Sequence, residues 1–199
     1  MVRLFNGRDG EWAARVASVA KKAVTLIAEH QSAPQEQVPD LWLCAAPLKK
    51  GRIDWLVEKA CELGVARLQL VTTQRTVVDK PNLERLGAHM VEAAEQSGRT
   101  AVPDLPAPLT LERLLKSWPA MRALIFADET GGEAMANALG RCPAPAAILI
   151  GPEGGFTEQE RDAILAHPAA VPISLGQRIL RADTAALAAV AVWQAINGQ

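Results

Sequence analysis

The sequence is poor in the residues that build metal sites, disulfide frameworks and phosphate loops. Its three cysteines, Cys44, Cys61 and Cys142, are odd in number, far apart and form no CxxC pair. That argues against a disulfide scaffold and for reduced, mostly buried thiols in a cytoplasmic protein. The three histidines, His30, His89 and His167, are isolated, so no metal-ligand set is expected. No lysine follows Lys116, and neither GxxxxGK[ST] nor GxGxxG occurs, which excludes the P-loop and the dinucleotide fingerprint. The longest apolar run, Ala185 to Trp193, is far too short for a membrane span. The N-terminal MVRLFNGRDGEW has charges where a signal peptide needs an apolar core. Charge of one sign is lacking too: 21 Lys+Arg stand against 22 Asp+Glu. A mild basic bias at the front, eight Lys/Arg against five Asp/Glu in residues 1–53, is compatible with an anionic partner.

What is present suits one large domain, or one domain with a small appendage. The chain has 199 residues and is 49% hydrophobic, enough for a full core. The front reads as β: VRLF, EWAARVASV and AVTLIAE alternate in part, with Arg8-Asp9-Gly10 as a hairpin turn. Gln31 to Asp40 is polar, contains two prolines and reads as a linker. From Leu41 onward strands and helices alternate. LWLCAA, ARLQLVTT, RALIFA, AAILI and VPISL read as strands, and helices are expected at 52–63, 81–98, 111–116, 133–139, 158–166 and 184–196. This order predicts an α/β fold with a mostly parallel sheet covered on both faces. Ligands of such sheets bind beyond the carboxyl ends of the strands. Three segments leave strand ends there: ADETGG after Ala127, GPEGG after Ile150 and GQRILRAD after Leu175.

In GPEGG, Pro152 ends the strand, and Gly151, Gly154 and Gly155 permit tight turns and close approach to bare backbone. Thr157 and Glu160 are spaced as a capping box for the following helix. That places a carboxylate at the helix start and disfavours an anion there, so the ligand expected is neutral or cationic; the alternative is a plain strand-to-helix turn. In the second loop Asp183 reads as the N-cap of a helix from Thr184, and Arg181 as an ion-pairing or surface residue. The helix is apolar nearly all round, which suggests burial against a partner subunit.

LIGPEGGFTEQE followed by LGQRILRADTAALAAV resembles the paired signature of the ribosomal RNA small subunit methyltransferase E family, of the SPOUT class. EAAEQSGRTAVP (Glu92 to Pro103) and LKKGRIDWLVEKACELGV (Leu48 to Val65) extend the resemblance over essentially the whole chain after Leu41. Asp183 departs from it, because the family usually carries Glu there. The resemblance implies an α/β fold with a C-terminal trefoil knot, S-adenosylmethionine bound in that knot, a homodimer, and methylation of N3 of one uridine in 16S ribosomal RNA. The partner implied is that RNA or the small-subunit particle, in the cytoplasm and with no membrane. It also implies that residues 1–38 form part of an RNA-gripping PUA-like β-barrel, whose first strands this chain lacks, and that 39–199 are the SPOUT methyltransferase domain.

Strand-end position and resemblance together make Phe126, Glu129, Ile150, Gly151, Glu153, Gly154, Gly155, Leu175, Gly176, Ile179, Leu180 and Thr184 the expected cofactor contacts. Arg181 is the candidate for stabilising a uracil anion by charge. Glu153 and Asp183 are the candidate carboxylate bases. Lys49, Lys50, Arg52, Arg75 and Arg99 are candidates for RNA phosphate contacts, each with a solvated surface charge as the alternative. A non-catalytic RNA-binding protein of this fold, or another nucleotide-binding α/β enzyme, are the competing readings.

Overall fold

The structure, a computed structural model, describes residues 1–78 and 80–198. The three front segments form an antiparallel sheet in the order β1 (Val2–Phe5), β2 (Glu11–Ala20), β3 (Ala23–Ala33). The expected turn is present. The Asn6 side-chain oxygen accepts from the Arg8 and Asp9 amides, both at 2.9 Å. Gly10 follows at φ +73°, and a β-carbon there would run into the Ala33 carbonyl. Because β3 continues to Ala33, the linker is shorter than the sequence suggests and spans only 34–40.

The second sheet has seven strands, all parallel: β4 (Leu41–Ala45), β5 (Arg67–Thr72), β6 (Leu109–Thr110), β7 (Ala123–Ala127), β8 (Glu133–Ala134), β9 (Ala146–Ile150) and β10 (Ala170–Ser174). β6 and β8 were not foreseen, since two residues are too few to show alternation. The spatial order is β6-β5-β4-β9-β7-β10-β8. β9 therefore enters between two earlier strands, and β10 pairs with the far edge of β7. This brings the carboxyl ends of β7, β9 and β10 side by side.

Both faces are covered, as β9 requires: all five of its residues are buried. α1 (Arg52–Glu62), α2 (Leu83–Ser97), α4 (Met135–Leu139) and α6 (Ala182–Asn197) supply one apolar layer, in which Leu56, Leu86, Met90, Leu139 and Trp193 meet Leu41, Leu43, Ile148 and Ile150. α3 (Leu111–Lys116) and α5 (Glu158–Leu165) supply the other, where Leu114 and Ile164 meet Cys44, Leu124, Phe126 and Leu149. The period-two alternation along β4 and β9 assigns successive side chains to opposite layers.

Local signals explain the helix ends. Asn82, directly after Pro81, caps α2 by accepting the Arg85 amide at 2.9 Å, and Gly98 closes it at φ +70°. The capping box of α5 is complete: Glu160 N–H donates to the Thr157 hydroxyl at 3.2 Å, and Thr157 N–H to the Glu160 carboxylate at 2.9 Å.

The start of α6 corrects the sequence reading. Its N-cap is Arg181, in extended conformation, whose carbonyl accepts the Ala185 amide at 2.8 Å, so Asp183 lies inside the first turn and is not the N-cap. The apolar character of α6 is also divided differently from expectation. Val190 and Trp193 are fully buried within the single chain, and the Trp193 indole donates to the Cys142 carbonyl at 2.8 Å. Thr184, Ala191, Ala195 and Ile196 remain on its exposed side. No described helix is long and apolar enough to cross a membrane.

Candidate functional site

The loops leaving β7, β9 and β10 enclose a cavity of about 520 Å³, within the size range of small-molecule sites, roughly 300–1,000 Å³. Phe126, Glu129, Ile150, Gly151, Glu153, Gly155, Leu175, Gly176, Ile179, Leu180 and Arg181 line it. Ten of the twelve residues named as cofactor contacts thus converge on one space. Gly154 and Thr184 do not. Gly154 faces the aliphatic stem of Arg75, and Thr184 projects from the exposed side of α6. The glycines serve different needs. Gly176, at φ +104°, has no described atom beyond its chain neighbours within 4 Å of where its β-carbon would stand, so bare backbone meets the open cavity. At Gly151 a β-carbon would lie 2.9 Å from the ring of Phe156, itself edge-on to Phe126 at 5.5 Å between centroids. Ile179 is 84% exposed at the rim.

A charged pair and a carboxylate-to-amide contact that the sequence reading did not foresee hold this cavity in shape. Asp128 leaves β7 buried, and Arg161 reaches it from α5 at 2.8 Å. Thr130 adds its amide at 3.0 Å and its hydroxyl at 2.9 Å. Burial pushes the Asp128 carboxyl up, but the Arg161 and Thr130 hydrogen bonds, with the charge of Arg161, outweigh it and hold the group below its ordinary range. Nothing local signals this pair, because its members lie 33 positions apart. Glu160 does more than cap α5: its second oxygen accepts the Gln74 amide at 2.8 Å, tying the loop after β5 to the cavity wall.

A second cavity, of about 440 Å³, opens beside the first. Its walls are Leu48, Lys49, Lys50, Arg52, Glu153, Arg181, Ala182 and Asp183. Glu153, Arg181 and Ala182 border both spaces. Two residues named as candidates for the chemistry therefore stand on the partition between a cavity lined by as many acidic as basic side chains and a second in which basic ones outnumber acidic. Lys49 and Lys50 are exposed on the basic side. The Arg181 side chain has no hydrogen-bond partner among the described residues.

Three of the expected phosphate contacts have work inside the protein. Arg99 is buried, holds the Glu36 carboxylate at 3.2 Å and donates to the Cys61 carbonyl. It fastens the linker to α1 and cannot also reach RNA. Arg75 is exposed, but its guanidinium donates to the carbonyls of Gly154 at 2.7 Å and Phe156 at 3.2 Å, clamping the glycine loop. Arg52 is paired with Asp183. The same pair removes Asp183 as a candidate base, since its carboxylate is 3% exposed and also accepts the Thr184 amide at 2.9 Å. Among the described residues no three His, Cys, Asp or Glu side chains gather as a metal site.

Residues 34–194 match the model of an RNA methyltransferase domain. The ribosomal RNA small subunit methyltransferase E of Rickettsia conorii is 31% identical over 195 residues, covering 96% of this chain and 78% of its own. A Legionella pneumophila protein, solved in complex with the bound cofactor SAM, superposes with a TM-score of 0.89 at 30% identity, over 98% of this chain and 82% of that one. The ribosomal RNA small subunit methyltransferase E of Neisseria gonorrhoeae, bound to S-adenosyl methionine, superposes with a TM-score of 0.86 at 28% identity, over 97% of this chain and 82% of that one.

Proposed function

Because the chain belongs to the ribosomal RNA small subunit methyltransferase E family, we propose that it methylates ribosomal RNA with S-adenosylmethionine, at N3 of a uridine in the 16S RNA. The observation behind this reading is the position of Glu153, Arg181 and Ala182 on the wall shared by two cavities, one balanced in charge and one net basic. One reactant on each side would meet across it, and holding two reactants in register supplies much of the acceleration of a bimolecular transfer.

The residues of the first cavity fit the cofactor. It carries no phosphate, and no lysine lines the space. The backbone at Gly176 leaves room that a side chain would take, and main-chain amides and carbonyls can read an adenine edge. S-adenosylmethionine supplies an electrophilic methyl group on a sulfonium. The chain's own residues handle the acceptor. Uracil N3 carries a weakly acidic proton that must leave before or during attack. The Arg181 guanidinium favours the resulting anion by charge. We assign Glu153 to accept the N3 proton; its support is that it is exposed and borders both cavities. Lys49 and Lys50 would meet phosphates flanking the target nucleotide.

The same reading assigns the front three strands to a PUA-like RNA grip and β9, β10 and α6 to a trefoil knot. It makes the exposed side of α6 part of a homodimer contact, and it places the protein in the cytoplasm with the small-subunit particle. Support for the knot is the strand order, in which β9 enters between β4 and β7 before β10 passes to the far side.

The test is single-turnover transfer of labelled methyl groups to small-subunit particles, with nucleoside analysis of the product. Arg181→Ala should keep cofactor affinity within a few-fold and lower transfer by about a hundredfold, with Arg181→Lys between. Label on any atom other than uridine N3, or parental transfer by Arg181→Ala, refutes the assignment.

A further inference from the structure

Arg52 and Asp183 lie 131 positions apart and meet at the floor of the basic cavity. Asp183 is buried to 2% exposure, while the Arg52 side chain remains 44% exposed. A buried carboxylate needs a reason, because burying a charge is costly unless it is paired and hydrogen-bonded. The N-cap role is not the reason, since that position belongs to Arg181. Asp183 instead has one oxygen on the Thr184 amide and the other on Arg52, the first residue of α1.

The consequence falls on Arg181. Its carbonyl is held by the Ala185 amide at 2.8 Å, and two residues on, Asp183 ties the same turn of α6 to α1. With no hydrogen-bond partner among the described residues, the Arg181 side chain takes its direction from that backbone. We propose that the Arg52–Asp183 pair is a positioning element that fixes the first turn of α6, and with it Arg181, on the partition between the cavities, and that Arg52 is not an RNA phosphate contact. This rests on the functional reading above.

The two roles open to Arg52 separate by salt and by coupling. A phosphate contact releases counterion, so its loss flattens the slope of log affinity against log salt by nearly one unit per contact, roughly 0.9 on duplex and 0.7 on single strands. A positioning residue leaves the slope alone and acts with its partner. RNA affinity would be measured from low to high salt, beside single-turnover methyl transfer, for Arg52→Ala, Asp183→Asn and the double variant. Expected are an unchanged slope and a drop in transfer of about tenfold in each single variant. The double variant should be no worse than either single, because all three break one pair. Cofactor affinity should stay within a few-fold, since neither residue lines the first cavity. Asp183→Glu and Arg52→Lys keep both charges and should recover much of the rate. They also serve if the charge-deleting variants fail to fold, and their transfer at the level of a pairless variant overturns the proposal. So does a slope that falls by nearly one in Arg52→Ala but not in Asp183→Asn, or losses that add in the double variant. A parent protein that transfers no methyl group overturns the functional reading and this inference together, whereas those other outcomes overturn the inference alone.

Discussion

Replacing Gly151 and Gly154 separately by alanine tests whether the cavity or the glycine-rich composition of its loop sets cofactor affinity. The two lie three positions apart, and neither has a positive φ, so backbone strain does not distinguish them. Their surroundings do. An alanine methyl at 151 would stand 2.9 Å from one ring carbon of Phe156 and 3.1 Å from another. Carbon atoms at rest are about 3.5–4.0 Å apart, so ring or loop must move by roughly half an ångström or more. Phe156 is already edge-on to Phe126 at 5.5 Å, and both rings line the cavity. Overpacking of this kind costs about 1–3 kcal/mol, and part of the displacement falls on the ligand's space. We expect Gly151→Ala to lower stability by that amount and to raise the dissociation constant for S-adenosylmethionine about tenfold, about 1.4 kcal/mol. At 154 the methyl meets only the Arg75 stem at 3.4 Å and beyond, and Gly154→Ala should bind within about twofold of the parent. Titration calorimetry and thermal unfolding of both variants decide it. Parental affinity in Gly151→Ala, or a larger loss in Gly154→Ala, would refute the steric argument.

Two further outcomes follow from buried titratable groups. Asp128 has its carboxyl held below the ordinary range in the folded state. Its contribution to stability is therefore fully present above the unfolded value, near pH 4, and lost as pH falls through the lower folded value. Asp128→Asn should remove part of the acid limb of a stability–pH curve, and an unchanged limb would show that the Arg161 contact does not persist in solution. Burial pushes the Cys44 thiol up to about 12, against the opposing charges of Arg122 and Arg67, and raises the other two thiols as well. All three are buried and free, so Ellman's reagent should find no fast-reacting thiol in the native protein and three after denaturation; rapid native labelling would contradict that burial.

What the sequence determined by itself is local, or periodic over a short window. The apolar run AAILI, the Thr157–Glu160 spacing, the glycine after α2 and the Arg8-Asp9-Gly10 turn each act within a few positions, and each is present as read. The glycine-rich strand ends also marked the three loops that form the first cavity. The tertiary structure decided which distant residues meet. Strand order alone sets β9 between β4 and β7, and so places Asp128 within reach of Arg161 and Glu153 on the wall of two cavities. The same packing took Arg99 from the surface role that its charge suggested and set Arg75, though exposed, on the carbonyls of the glycine loop. It buried Val190 and Trp193 within one chain where hydropathy pointed to a partner, and it gave Asp183 to Arg52 rather than to the helix end. In each case the residue type specified what kind of partner a charged or apolar group needs, and only the folded chain specified which partner it has.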